Sequence, residues 1–225
     1  MTPATTPRRV VAIDGAAGSG KSTLARGLAE VLGLPYVNTG IMYRALTLAA
    51  IEGAIDTDDG DALAQLMSRL TFGLSSRALR ELEVEGLPPS EALQGARVEA
   101  EVSRVARHPQ VRTLMRDAQR VLGSPDAVVE GRDIGTVVFP DARVKLFLQA
   151  APDTRVERRA EQRGSASDEP GVAEALHRRD AKDATVNPFE PAPGAIIVDT
   201  SDRTVEDTLR AALEIVREHM PGAFA

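Results

Sequence analysis

The sequence predicts an α/β fold: a parallel five-stranded sheet with helices on both faces. Two observations carry this expectation. Short runs that are apolar at every position alternate with segments of helical periodicity. The first of these runs, Val10-Val11-Ala12-Ile13, leads through a glycine-rich turn directly into a helical segment. Continuous apolar runs suit strands covered on both faces, and those are typically the parallel ones. With 225 residues the chain can bury a core of this kind and still carry a small insert.

After the first strand, Leu24, Leu28, Val31 and Leu32 recur at helical spacing, and Gly33 offers a stop. Pro35-Tyr36-Val37 reads as a second strand and residues 43–51 as a second helix. An acidic turn at 56–61 precedes a helix over about 62–70. Leu82 and Val84 then alternate with Glu81, Glu83 and Glu85, a period of two. Together with residues 70–74 they predict a small antiparallel hairpin with one wet face. It interrupts the parallel pattern and so belongs to an insert. Helices resume near 91–106 and again over 110–122, where Val111, Leu114, Ala118 and Val121 are expected to share a face.

Ala127-Val128-Val129 and residues 144–148 supply two more strands, and Pro152 can open the helix that follows. Residues 164–171, rich in Gly, Ser and Pro, read as a mobile loop before a helix that runs to about Asp180. Ala195-Ile196-Ile197-Val198 is the last strand, and Val205, Leu209, Ala212 and Val216 mark the last helix.

Composition narrows the function classes. Cysteine is absent, which removes disulfides and thiolate metal sites and fits a cytoplasmic protein. Residues 1–9 lack the apolar run of a signal peptide, and no stretch approaches the roughly 18 apolar residues of a spanning helix, so no membrane role is expected. The formal charge of −6 argues against a general nucleic-acid binder. A local cluster of cations can still hold a small anion. Apart from Lys21, Lys145 and Lys182, every cationic side chain is an arginine; its rigid fork can grip phosphate, but GC-rich coding enriches arginine too and explains most surface ones first.

The most informative stretch is Gly15-Ala16-Ala17-Gly18-Ser19-Gly20-Lys21-Ser22, followed by Thr23. It satisfies G-x-x-x-x-G-K-S in full, after a strand and at the start of a helix, the context in which that pattern binds nucleotide phosphates. Glycines let successive N–H groups converge on an anion, and the helix N-terminus adds partial positive charge. Lys21 would reach the β- and γ-phosphates, and the Ser22 hydroxyl would ligate Mg²⁺. Such a loop serves switches, motors and kinases alike. A guanine switch should carry N-K-x-D, yet neither asparagine here, Asn38 or Asn187, precedes a lysine.

Three further clusters point to a kinase. Thr39, Tyr43 and Arg44 follow the second strand, where the carboxyl ends of an open sheet face the ligand crevice. Tyr43 and Arg44 could equally serve core packing and a solvated face. Gly131-Arg132-Asp133-Ile134-Gly135-Thr136 follows another strand. There Arg132 would bind a phosphate, while Asp133 would either accept from substrate or orient Arg132. Arg155, Arg158, Arg159, Arg163, Arg178 and Arg179 flank the expected mobile loop and read as a lid, or as a charged surface hairpin. Closure of a lid excludes water, and a catalytic arginine on it can contribute about 10³–10⁵ in rate.

These residues together resemble the bacterial cytidylate kinases, which phosphorylate CMP and dCMP with ATP. The likeness spans nearly the whole chain. It includes Ile13-Asp14-Gly15 with the phosphate loop, Thr39-Gly40 before Tyr43-Arg44, and Pro109-Gln110-Val111-Arg112. Its most family-specific stretch is Glu130-Gly131-Arg132-Asp133-Ile134-Gly135-Thr136-Val137-Val138-Phe139-Pro140-Asp141, completed by Arg178-Arg179-Asp180 and Asp183.

The resemblance implies an adenylate-kinase-like core (residues 8–37, 107–150 and 194–220), an NMP-binding insert (about 38–106) and a lid (about 152–185). It implies Thr39 at the cytosine edge, with Asp133 by the same base pocket. Ser103 and Arg112 would act there or reach the acceptor. It places Tyr43 along the acceptor, Arg44 and Arg132 on the CMP phosphate, and Arg179 and Asp183 on the ribose. Arg158 and Arg159 would belong to the lid, and Lys21, Arg132, Arg158, Arg159 and Arg179 would carry catalysis. The expected partners are ATP with Mg²⁺ and CMP or dCMP, and the expected state is a monomer.

The chain departs from the family pattern in places. Asn38 stands for a common aspartate and Thr39 for a common serine. The stretch Ala184-Thr185-Val186-Asn187-Pro188 lacks an arginine that many members carry after the position of Asp183. That contact is either missing or supplied by Lys182. A lost charge-assisted bond is worth roughly 1.5–3 kcal/mol. Two other readings stay open here: a kinase of another small acceptor, such as a different nucleoside monophosphate or shikimate, and a nucleotide-binding regulatory module.

Overall fold

The structure is a computed structural model that describes residues 9–84, 90–163, 171–186 and 190–221. Five parallel strands form the main sheet: β1 (Arg9–Gly15), β2 (Tyr36–Asn38), β5 (Asp126–Gly131), β6 (Val144–Gln149) and β7 (Ile196–Asp199). Their spatial order is β2-β5-β1-β6-β7. The first strand is therefore central, paired in parallel with β5 on one side and β6 on the other.

Burial explains the unbroken apolar runs. Val11 and Ile13 face one layer, with helix α1 (Lys21–Leu32) and helix α9 (Val205–His219) packed over them. Val10 and Ala12 face the opposite layer, against Ile134, Val138 and Phe139. In α1 the buried residues are Leu24, Ala25, Leu28, Ala29 and Leu32, whereas Val31 is 53% exposed. Gly33 ends this helix in the left-handed conformation, as its position suggested.

Between β2 and β5 the chain forms a helical layer with a hairpin. Helices α2 (Thr39–Glu52), α3 (Gly60–Met67) and α6 (Pro109–Leu122) share one apolar cluster built on Met42, Leu46, Leu63, Met67, Val111 and Met115. Strands β3 (Phe72–Leu74) and β4 (Leu82–Val84) pair antiparallel as expected. The segment between them lies along the edge of the main sheet, where the Tyr36 N–H donates to the Arg80 carbonyl at 2.8 Å. This backbone pairing covers the β2 edge, which would otherwise be open to other chains.

The region read as one helix near 91–106 divides into α4 (Ser90–Leu93) and α5 (Ala96–Ala106), separated at Gly95. On α6 the expected face is corrected. Val111, Met115 and Gln119 are buried, with Ala118 and Leu122 packed beside them, whereas Leu114 and Val121 are 38% and 76% exposed. The inward stripe follows i, i+4, i+7, i+11, which leaves the residues at i+3 and i+10 on its flank. Helix α7 (Pro152–Arg163) begins at Pro152, and α8 (Val172–Val186) runs past Asp180. Residues 164–170 of the expected mobile loop lie outside the described residues. Among the described residues no helix is long and apolar enough to cross a membrane.

Two contacts hold β1 in register with its surroundings. The buried Asp14 carboxylate accepts the N–H groups of Ile134 and Gly135, both at 2.7 Å. Burial raises its pKa above the ordinary carboxylate value, and those two bonds oppose the rise. Gly15 has φ +147°, and a Cβ there would lie 2.3 Å from the Leu148 carbonyl oxygen. Gly15→Ala should therefore lower the unfolding free energy by about 1–3 kcal/mol, through overpacking against β6. Urea denaturation of the two proteins measures the difference.

Candidate active site

All five strands end on one edge of the sheet, and the chain leaves each strand into a single crevice. Residues 16–20 follow β1, and Thr39 follows β2. Arg132 and Asp133 follow β5, Arg155, Arg158 and Arg159 follow β6, and Thr200 follows β7. Parallel topology thus gathers residues far apart in sequence.

The phosphate loop runs from Gly15 to the start of α1. Gly18 and Gly20 have φ of +75° and +85°. Gly20 is the N-cap of α1, makes no side-chain cap bond, and no acidic residue occupies the first turn. No side chain therefore competes for the first N–H groups of the helix, so its positive end suits an anion. Lys21 Nζ donates to the Ala16 carbonyl at 2.6 Å. Ser19 is fully buried, and its Oγ has no hydrogen-bond partner. Thr23 is exposed.

Behind the loop lies a carboxylate absent from the site expected from sequence. Glu130, 3% exposed, accepts from the Ser22 hydroxyl at 3.0 Å and from the Tyr36 hydroxyl. Asn38 Nδ2 donates in turn to the Tyr36 hydroxyl at 3.2 Å. Burial and the neighbouring Glu130 both push the Tyr36 phenol well above its usual pKa, so it stays a donor. The signal for Glu130 was its place: an acid at the end of the strand beside β1, two residues before Arg132.

After β5, Arg132 Nη1 donates to the Gly15 carbonyl at 3.0 Å, and its Nη2 lies 2.8 Å from Asp183. The other Asp183 oxygen accepts from Ser103 at 2.8 Å. Arg112 donates to Asp133 at 2.7 Å. Tyr43 stands beside this pair, its phenol pKa raised chiefly by burial. Tyr43, Arg112 and Asp133 line a cavity of about 410 Å³ together with Arg116, Gln119 and Thr185.

Thr39 and Arg44 each bond to a backbone carbonyl. Thr39 is buried, and its hydroxyl donates to the Glu130 carbonyl at 2.8 Å. Arg44 Nη1 donates to the Leu93 carbonyl at 2.9 Å.

The arginines after β6 reach both sides of the crevice. Arg155 donates to the Ala17 carbonyl at 3.2 Å and pairs with Asp180. Arg158 donates to Thr200, and Arg159 pairs with Glu99 of α5. The side chain of Arg179 lies outside the described residues. A second cavity, of about 430 Å³, opens beside Ala16 between the ends of β6 and β7 and is bounded by Ala151, Arg155, Asp199 and Ser201.

A family model described as cytidylate kinase matches residues 11–218. The chain belongs to the cytidylate kinase family. It is 42% identical over 217 residues to the cytidylate kinase of Mycobacterium avium, an alignment covering 93% of this chain and 95% of that one. It is 41% identical over 216 residues to the cytidylate kinase of Shouchella clausii, covering 93% and 96%. Among solved structures it is similar to an unliganded sugar kinase from Janibacter, with a TM-score of 0.50 and 16% identity over 97% of this chain and 99% of the other. That likeness concerns the fold alone. The kinase therefore places its glycine loop and its arginine clusters on a scaffold of established type.

Tyr36→Phe should leave one oxygen of the buried Glu130 carboxylate without its donor. The expected loss is about 1–3 kcal/mol of stability, read by chemical denaturation, with the Ser22 bond retained.

Proposed function

We propose that this cytidylate kinase transfers the γ-phosphoryl group of ATP in line to a phosphate oxygen of CMP or dCMP, giving ADP and CDP or dCDP. The observation that carries the reading is the position of Arg132. Its guanidinium touches the phosphate loop through Gly15 and the acceptor cluster through Asp183, so one cation spans the gap the phosphoryl group crosses.

The attacking phosphate oxygen is already anionic at neutral pH, so no general base is needed. Catalysis then consists of alignment and charge neutralisation. Residues Gly15, Ala16, Ala17, Gly18, Ser19 and Gly20 hold the donor phosphates through backbone N–H groups. Lys21 exchanges the Ala16 carbonyl for the β- and γ-phosphates. Arg158 and Arg159, with Arg179, close over the transferring group and exclude water. The donor base takes the cavity beside Ala16.

The cytidine base takes the cavity lined by Tyr43, Arg112 and Asp133. Thr39 and Ser103 each donate to a neighbouring oxygen and keep lone pairs for the exocyclic amino group. Arg44 would have to leave the Leu93 carbonyl to reach the acceptor phosphate. Asp183 and Arg179 serve the ribose, and exposed Lys182 is the cation nearest in sequence to the missing arginine.

The residues present fit Mg²⁺. Ser22 and Glu130 bring hard oxygen donors within 3.0 Å of each other beside the loop, and Mg²⁺ commonly takes one or two protein oxygens while substrate phosphates and water supply the rest. Ser22 would ligate it, with Glu130 holding the hydroxyl or a bound water. When bound, the ion neutralises charge on the β- and γ-phosphates.

The reading keeps a core of 8–37, 107–150 and 194–220, an acceptor-binding insert of about 38–106 and a lid of about 152–185. Every residue invoked lies in one chain, so a monomer suffices. We place the enzyme in the cytoplasm.

Lys21→Ala should lower kcat at least about a hundredfold while leaving the circular dichroism spectrum and thermal midpoint near wild type. Wild-type turnover would remove the phosphate-loop assignment. An ATP/Mg²⁺ assay over CMP, dCMP, UMP, AMP and shikimate should give its highest kcat/KM on CMP or dCMP. Equal or better activity on another acceptor would overturn the cytidine reading.

A further inference from the structure

Thr200 stands one residue beyond β7 and is 3% exposed. Its N–H donates to the Gln149 carbonyl at the end of β6, at 2.9 Å. Its hydroxyl lies 3.1 Å from that same carbonyl and 3.1 Å from the Ser19 carbonyl in the phosphate loop. A hydroxyl has one proton to give. The Gln149 oxygen already receives the Thr200 N–H, so the proton is better used on Ser19.

That choice leaves the hydroxyl lone pairs for Arg158. Arg158 Nη1 donates to Thr200 Oγ1 at 3.0 Å, and Nη2 donates to the Thr200 carbonyl at 2.6 Å. One residue thus grips the guanidinium at two points. The same Nη1 stands 3.8 Å from the place a Cβ on Gly20 would occupy, above the N-cap of α1.

We propose that Thr200 is a positioning residue for phosphoryl transfer: anchored to the loop at Ser19, it presets Arg158 over the site of the donor phosphates. The proposal rests on the reading of Arg158 as a donor-phosphate ligand. A long side chain loses rotamer freedom when it engages a ligand, and one already held loses less. A guanidinium has five N–H donors, so the grip leaves others for phosphate. The β-branch of threonine narrows χ1 and helps fix the hydroxyl on its line between Ser19 and Arg158.

The test is steady-state kinetics on Thr200→Val, Thr200→Ser, Arg158→Ala and the Val/Ala double variant, each checked for its thermal midpoint. Valine keeps the shape and branch but removes the proton and lone pairs. It should lower kcat/KM for ATP about tenfold and change KM for CMP by less than about twofold. Serine should restore the ATP value to within about threefold of wild type. Arg158→Ala alone should be slow, and adding valine to it should cost less than about a further twofold.

Wild-type kinetics in Thr200→Val beside a slow Arg158→Ala overturns this proposal alone. Wild-type kinetics in Arg158→Ala overturns the lid reading and this proposal with it. A valine effect of undiminished size on top of Arg158→Ala also overturns the proposal, because it assigns Thr200 to the scaffold. If valine unfolds the chain, Thr200→Ala takes its place with the same expected loss, and wild-type kinetics there is equally fatal.

Discussion

The buried Asp14 carboxylate sets the spacing between the two halves of the site. It sits at the end of the central strand, just before the phosphate loop. Both its hydrogen bonds go to the turn that follows Arg132 and Asp133. The end of β1 and the turn after Asp133 are thereby tied through one side chain. The turn itself, residues 134–138, is a single π-helical turn, a form that often marks functional positions. Its apolar residues Ile134 and Val138 enter the core beneath the sheet, so the tie is supported from below.

Charge in the crevice is arranged as pairs. Arg112 meets Asp133, Arg132 meets Asp183, Arg155 meets Asp180 and Arg159 meets Glu99. Most of these pairs link different parts of the chain, so they hold the arginine-bearing helices against the core and the insert. Half-buried charges left unmatched are costly, so each carboxylate stabilises the guanidinium it meets.

Much of this was legible from sequence, and the reason differs by element. The central strand was legible because burial on both faces forces every residue to be apolar, as in Val10 to Ile13, whereas edge strand β7 keeps its apolar run with Ile197 53% exposed. The phosphate loop was legible because its chemistry needs glycine at fixed positions followed by Lys21 and Ser22. The α6 face was misassigned because Leu114 and Val121 are apolar yet only flank the buried stripe, and composition does not distinguish flank from centre. Glu130 and Thr200 escaped notice because each acts through partners about a hundred or more residues away in sequence, Ser22 for the first and Ser19 for the second.

The sequence by itself determined the fold class and the family, since these reside in local patterns: apolar runs, a glycine-lysine-serine spacing and the stretch from Glu130 to Asp141. Only the tertiary structure decided which side chains meet. It turned the Thr39 hydroxyl onto Glu130, held Arg44 at Leu93 and joined Ser103 to Asp183. Hydrogen bonds and ion pairs depend on distances of a few ångströms between segments remote in the chain. Those distances are fixed by how strands order and helices pack, which no local pattern encodes.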